Sequence, residues 1–266
     1  MASIHPTAII GENAKIDPTA EVGAYAIIEN GAEVGAGSII EPHARLCSGA
    51  KIGANCTISS FTTIAGLPQD LHFDKSTISY VEIGDGSVVR EGATIHRATK
   101  ENASTKIGKN CLIMANAHIG HDCVFGDRVI MAPFSAAGGF VEVGNDTFIS
   151  GGVMLHQKIR VGEGAMLSGN SALSLDVPPF VNSLSRNNIA GFNLVGLIRR
   201  KVARESIAEL KKLYALVYGG GNPRKNAKEA FDSDLAKTNE GKTFLRFFFE
   251  YENSKGIVRP RSRNED

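Results

Sequence analysis

The strongest constraint in this chain is a period of six. Large apolar side chains recur at Ile10, Ile16, Val22, Ile28, Val34, Ile40, Leu46, Ile52, Ile58 and Ile64. A small residue usually stands four places after each, as at Ala14, Ala20, Ala26, Ala32, Ser38, Ala44, Ala50, Cys56 and Thr62. The phase lapses after Ile64 and resumes at Ile83, Val89 and Ile95. It lapses again, then runs from Ile107 through Ile113, Ile119, Phe125, Met131, Ala137, Val143, Ile149, Leu155, Val161 and Leu167 to Leu173. A helix of 3.6 residues per turn cannot hold this period on one face, and a plain alternating strand needs a period of two. Six suits a three-sided coil in which a short strand and a tight turn repeat three times per 18 residues. The large residue fills the prism, the small one fits near the corner, and Gly or Asn supplies the turn dihedrals. Successive coils pair through their backbones, so the stack is a parallel β-solenoid of roughly eight coils, ~40 Å tall at ~4.8 Å per coil.

Two interruptions should leave the prism as loops, at about residues 65–82 and 98–106. Insertions into so regular an array often serve function, although a tolerated surface bulge would read the same. The array ends near Asp176-Val-Pro-Pro, where two prolines should stop strand pairing. Residues 1–191 therefore form a repeat domain. Residues 192–266 form a helical domain expected to cap the prism. Ile207, Leu210, Leu213, Tyr214 and Val217 share one helical stripe, a second segment carries Ala227, Ala230, Phe231 and Leu235, and a third carries Phe244, Phe247, Phe248 and Tyr251. The tail from Arg259 reads as disordered.

The formal net charge of +1 is unevenly spread. Residues 1–191 hold 13 Lys/Arg against 18 Asp/Glu, and residues 192–266 hold 16 against 10. A basic C-terminal part can attract an acidic partner, or simply be a solvated helical surface. No basic, apolar leader opens the chain and no apolar run approaches the ~20 residues a membrane helix needs, so a cytoplasmic protein without a membrane span is expected. Cys47, Cys56, Cys111 and Cys123 form no CxxC pair; three fall on inward positions and read as small core residues.

The histidines avoid the interior positions. Stacking the sequence in 18-residue columns puts His121 over Gly139 and then Gln157, and His156 over Gly138 and Gly120. Glycine beside each projecting side chain leaves a groove with exposed N–H groups next to an imidazole. Those are the parts of acyl transfer, a base near neutrality and donors for an oxyanion. Asp122 could orient the ring. A hydrogen-bonded surface histidine fits the same pattern. Zinc held by His96, His118 and His121 is a rival, and a zinc-binding hexapeptide trimer remains the non-catalytic alternative. No P-loop or dinucleotide fingerprint is present, nothing points to a cofactor or to nucleic acid, and phosphates would be met by Arg, Lys or loop amides.

Several segments together resemble the UDP-N-acetylglucosamine O-acyltransferase family over about residues 5–260. They are Asn116-Ala-His-Ile-Gly-His-Asp-Cys123, Pro68-Gln-Asp-Leu71, Val81-Glu-Ile-Gly-Asp85, Thr94-Ile-His-Arg97, His156-Gln157, Asp176-Val-Pro-Pro179, Asn193 to Arg200, and Phe247-Phe-Phe with Lys255-Gly-Ile-Val-Arg259. The resemblance implies a left-handed parallel β-helix and a homotrimer with sites between prisms. It implies transfer of a 3-hydroxyacyl group from acyl carrier protein to the 3-hydroxyl of UDP-N-acetylglucosamine, at the opening of lipid A synthesis. His121 would then be general base, Asp122 its orienter and the Gly139 N–H the oxyanion donor. Gln69 and Asp70 would contact substrate from the loop; His118, His156 and Gln157 would line the groove. Asn193, Arg199 and Arg200 would meet the nucleotide and carrier arm, and Gly169 would set acyl length, its missing side chain leaving room for a long chain. Phe140, Val195 and His72 depart from the family's usual polar residues, which keeps open N-acylation of a 3-amino form of the sugar.

Overall fold

The computed structural model describes residues 2–251 and 255–260. Short strands, mostly two residues long, wind into three parallel sheets that form the faces of a prism. The first face has 12 strands, the second nine and the third eight. Register advances by one coil, with Ile9 opposite Ile27 and Leu112 opposite Ile130. Each coil bonds to the next, as where the Gly11 N–H donates to the Ile28 carbonyl at 2.7 Å.

The hexad rule is visible in the packing. Ile28, Ile40, Leu46, Ile58, Ile64, Ile95, Ile113 and Ile119 are wholly buried, and Ala20, Ala26, Ala32 and Ala44 close the corners. Full burial of such an aliphatic side chain contributes about 1.5–3 kcal/mol. Polar corner residues mostly find a partner, as Ser38 Oγ donates to the Gly53 carbonyl and Thr62 Oγ1 to that of Arg90, while the buried Ser171 Oγ has none. Many second turn residues are left-handed, and Asn55, Asn110, Asn116 and Asn170 tolerate that conformation.

Two register jumps mark the insertions. Thr57 pairs with Val88, and Thr94 with His118, because the chain leaves the prism after strands Thr63–Gly66 and Thr94–His96. It returns in strands Tyr80–Ile83 and Ser104–Ile107.

The prolines near residue 178 do not end the sheet, as the sequence suggests they should. Val177 bridges Val161, Pro179 packs flat on Gly162, and strand Val181–Leu184 pairs with Met166–Leu167 before turning back antiparallel into Asn188–Phe192. Proline removes only one donor, so pairing resumes once the chain is past it. Four helices follow: α1 (Leu194–Arg199), α2 (Arg204–Tyr218), α3 (Pro223–Asp232) and α4 (Asn239–Arg246). Asn222 and Thr238 cap α3 and α4 through their side chains. In α2, Leu210, Leu213 and Val217 are buried as the stripe predicts. Leu235 lies beyond α3 and is exposed, and Ala236 is buried in its place. Residues Phe247 and Tyr251 lie past the end of α4, clasping the Arg160 guanidinium at 4.4 and 4.5 Å. Arg160 in turn pairs with the buried Asp176, which ties helices to prism.

The C-terminal segment also corrects an expectation. Arg259–Pro260 is a strand against Asn188 and Ile189, so disorder does not begin at Arg259; the rest of that expectation, residues 261–266, lies outside the described residues. Among the described residues no helix is long and apolar enough to cross a membrane.

Candidate active site

Two neighbouring coils bring three imidazoles to one corner, between the second and third faces: His96 from one, His118 and His121 from the next. His118 lies in strand His118–Ile119, whose other residue points into the core. The corner turn then begins with His121 and puts Asp122 at φ 59°. That turn fixes the Asp122 carboxylate beside the preceding ring: His121 Nδ1 lies 2.8 Å from Asp122 Oδ2. The same carboxylate accepts the Thr99 N–H and its hydroxyl, the latter at 2.7 Å. Thr99 comes from the second loop, so that insertion fastens the base's orienter. A carboxylate partner keeps the proton on Nδ1 and leaves a lone pair on Nε2.

Below His121 the next coil carries Gly139. A Cβ there would lie 2.5–3.0 Å from Cε1, Nε2 and Nδ1 of the ring. The imidazole therefore rests flat on bare backbone, with Phe140 edge-on at 5.2 Å. The N–H of Gly139 has no partner among the described residues. At some equivalent first turn positions an oxygen of the neighbouring coil fills this slot, as Glu29 does on Ser48, Glu41 on Ser60 and Asp127 on Lys109; at others, among them Gly139, it stays open. The slot beside His121 is thus a donor shaped for a negative oxygen and left open.

Two further groups were not singled out for this role by sequence. Thr94 hydrogen-bonds His118 Nδ1 at 2.8 Å. His96 stands edge-on to His118 at 4.9 Å with its Nδ1 sealed and unpartnered. Burial, then His118 and His121, pushes His96 down to about 4, and burial followed by His121 lowers His118. Both are neutral at physiological pH. Among the described residues no group of three or more His, Cys, Asp or Glu side chains is arranged to hold a metal. Burial drives the Cys123 thiol up to about 12 and raises those of Cys56 and Cys111, which holds them protonated.

The other candidates lie apart. Gln69 and Asp70 are exposed on the first loop, where Asp70 Oδ1 accepts the His72 N–H; neither bonds to the His121 group. His156 and Gln157 continue the glycine column, with Gly138 against the Gln157 backbone. Gly169 is exposed at the corner between the first and second faces, and a Cβ there would meet only the Gly151 carbonyl at 3.4 Å and Ser150 at 4.0 Å. Asn193 caps α1 and donates to the Gly164 carbonyl, at the corner between the third and first faces. Arg200 lies at that corner too, 3.1 Å from Glu163 and 3.6 Å from Asp146, with one guanidinium nitrogen sealed and unpartnered. Arg199 is exposed in the last turn of α1. The candidates therefore occupy three different corners of one prism.

Three parallel sheets wound from hexads, with an imidazole–carboxylate pair over a glycine corner, define a hexapeptide-repeat transferase of the left-handed parallel β-helix class. The model described as bacterial transferase hexapeptide (six repeats) matches residues 31–66 and 104–139. Residues 176–258 match the one described as UDP N-acetylglucosamine O-acyltransferase, domain 2. The acyl-[acyl-carrier-protein]–UDP-N-acetylglucosamine O-acyltransferase of Burkholderia lata is 41% identical over 265 residues, covering 97% of this chain and all of the relative. That of Campylobacter concisus is 35% identical over 266 residues, covering 99% of this chain and again the whole relative. Among solved structures, UDP-N-acetylglucosamine acyltransferase from Campylobacter jejuni superposes with a TM-score of 0.90 at 33% identity, covering 97% of this chain and 100% of the other. The Moraxella catarrhalis O-acyltransferase gives 0.90 at 34%, covering 96% and 99%. The chain belongs to the UDP-N-acetylglucosamine O-acyltransferase family and is an acyltransferase.

Proposed function

We propose that this enzyme moves a 3-hydroxyacyl group from acyl carrier protein to the 3-hydroxyl of UDP-N-acetylglucosamine, at the opening of lipid A synthesis in the cytoplasm. The relatives' names carry both substrates. The observation that carries the chemistry is the His121 ring, held at Nδ1 by Asp122 and laid on Gly139 with an open N–H beside it. Nε2 takes the proton of the sugar hydroxyl as its oxygen attacks the thioester carbonyl. The Gly139 N–H receives the oxyanion. Collapse of the tetrahedral intermediate breaks the C–S bond, and the imidazolium returns its proton to the departing thiolate. No covalent enzyme intermediate forms. Neutral His96 and His118 keep competing positive charge from beside the base. Gln69, Asp70, His118, His156 and Gln157 would hold sugar and acyl chain. Asn193 and Arg200 would hold the nucleotide, with the guanidinium suited to its diphosphate, and Arg199 would face the carrier arm.

The distribution over corners supports a homotrimer. Rotation about a three-fold axis places one corner of a prism beside a different corner of its neighbour, which is how His121 and Arg200 can share a cleft. The same machinery would serve an amine in place of the hydroxyl. Phe140, edge-on to His121, offers the acceptor no polar contact that would select a hydroxyl over an amine.

The test is incubation with acyl carrier thioesters of several lengths and either sugar nucleotide, with products analysed by mass spectrometry and by alkaline lability of an ester. For His121→Ala we expect turnover to fall about 10²–10⁴-fold with the oligomer intact. Near-normal turnover would remove His121 as base.

A further inference from the structure

The last described segment reaches back to the groove. Lys255 Nζ lies 3.1 Å from His156 Nδ1 and 2.9 Å from the Gln157 carbonyl oxygen. His156 Nδ1 is also 3.2 Å from that carbonyl, so three atoms form a triangle with two possible proton arrangements. In one, Nδ1–H donates to the carbonyl; its hydrogen then crowds an ammonium that has three donors and no acceptor. In the other, the ammonium donates to both Nδ1 and the carbonyl, every atom of the triangle is used, and the ring proton sits on Nε2. Charge-assisted donation is the stronger bond, and the second arrangement wins. No ion pair to Lys255 occurs among the described residues.

The backbone that follows Lys255 is anchored to the prism and helices. The Gly256 carbonyl accepts the Asp176 N–H, the Val258 N–H donates back to Asp176, and the Tyr218 hydroxyl donates to the Val258 carbonyl. Arg259 and Pro260 then pair with Asn188 and Ile189. Gly256 makes the bend at φ 110°, which side chains rarely adopt.

We propose that Lys255 is a positioning residue: it sets His156 as an Nε2–H donor toward an acceptor oxygen of the bound sugar nucleotide and clamps the Gln157 backbone beside it. The two histidines of the groove are then opposites. Asp122 makes His121 an acceptor at Nε2, and Lys255 makes His156 a donor at the same atom. His156 is exposed and its Nε2 is otherwise unpartnered among the described residues. The role in substrate binding rests on the proposed function; the tautomer does not.

The experiment combines long-range ¹⁵N–¹H spectra of the histidine side chains in the full-length protein, assigned with His156→Gln, with steady-state kinetics. The wild type should show His156 as the Nε2–H tautomer. Lys255→Met should shift it to Nδ1–H, now donating to the Gln157 carbonyl, and should raise KM for UDP-N-acetylglucosamine about tenfold while kcat holds within about twofold. Lys255→Arg, which keeps a charged donor, should retain both the tautomer and KM. An Nδ1–H form in the wild type, or no change in Lys255→Met, overturns the assignment. A flipped tautomer with unchanged KM overturns the substrate role. Absence of sugar-nucleotide turnover in the wild type refutes the proposed function alone, because the spectra decide the tautomer without it.

Discussion

At the scale of the residue, the site is governed by what stands next to each imidazole. Asp122, itself held by Thr99, decides the proton on His121, and Gly139 decides where the ring can lie. Gly139→Ala would put a methyl within 3.0 Å of three ring atoms. The ring must swing away and lose its bond to Asp122, so kcat should fall about 100-fold while the melting curve moves little, because the clash is with a side chain rather than with backbone. His96 makes a separate prediction. Its folded value of about 4 lies below the ordinary 6.5 because burial opposes the charge. Between those values the unfolded chain binds more protons, so stability rises with pH through this window and is lost as pH falls from about 6.5 toward 4. The effect should be on the order of 2 kcal/mol after allowance for solvent screening. His96→Asn should flatten this part of the unfolding profile followed by urea titration.

At the scale of the element, each insertion into the repeat has an identifiable task. The second loop delivers Thr99 to Asp122. The first is anchored by Arg97, which stacks on Phe73 at 5.5 Å and donates to the Lys75 carbonyl; it carries Gln69 and Asp70 outward from the prism. Turns at the other corners differ in the room they leave, and Asp127, Asn145 and Asp146 bond across coils. Gly169 lies in a turn with space for a side chain. If it faces the acyl groove, Gly169→Met should move the preferred thioester to a chain shorter by several carbons. An unchanged chain-length profile would show that the groove runs elsewhere.

At the scale of the whole molecule, His121, Gly169 and Arg200 sit at three separate corners of one prism, so the proposed shared cleft requires more than one copy of the chain. Sharing between copies makes a quantitative prediction. His121→Ala and Arg200→Ala homotrimers should each be nearly inactive. Unfolding and refolding them together at equal ratio should restore about a quarter of the wild-type activity, since one cleft in four then draws both intact residues from different chains. Failure to complement, with mixed trimers confirmed by native mass spectrometry, would mean that one chain supplies both.

The period of six, by itself, determined the coil, the inward columns and the glycine bed beneath His121, since these follow from spacing and side-chain size alone. It also exposed both interruptions, though Thr99 could not be read from them: a loop's return path depends on what it meets in space. The strand after the prolines and the return of Arg259–Pro260 to the sheet were invisible for the same reason, being pairings between residues distant in sequence. So was Lys255 at His156, a contact across almost a hundred residues. Tertiary structure alone decided which proton each histidine carries, because a tautomer is set by the partner that packing brings to the ring.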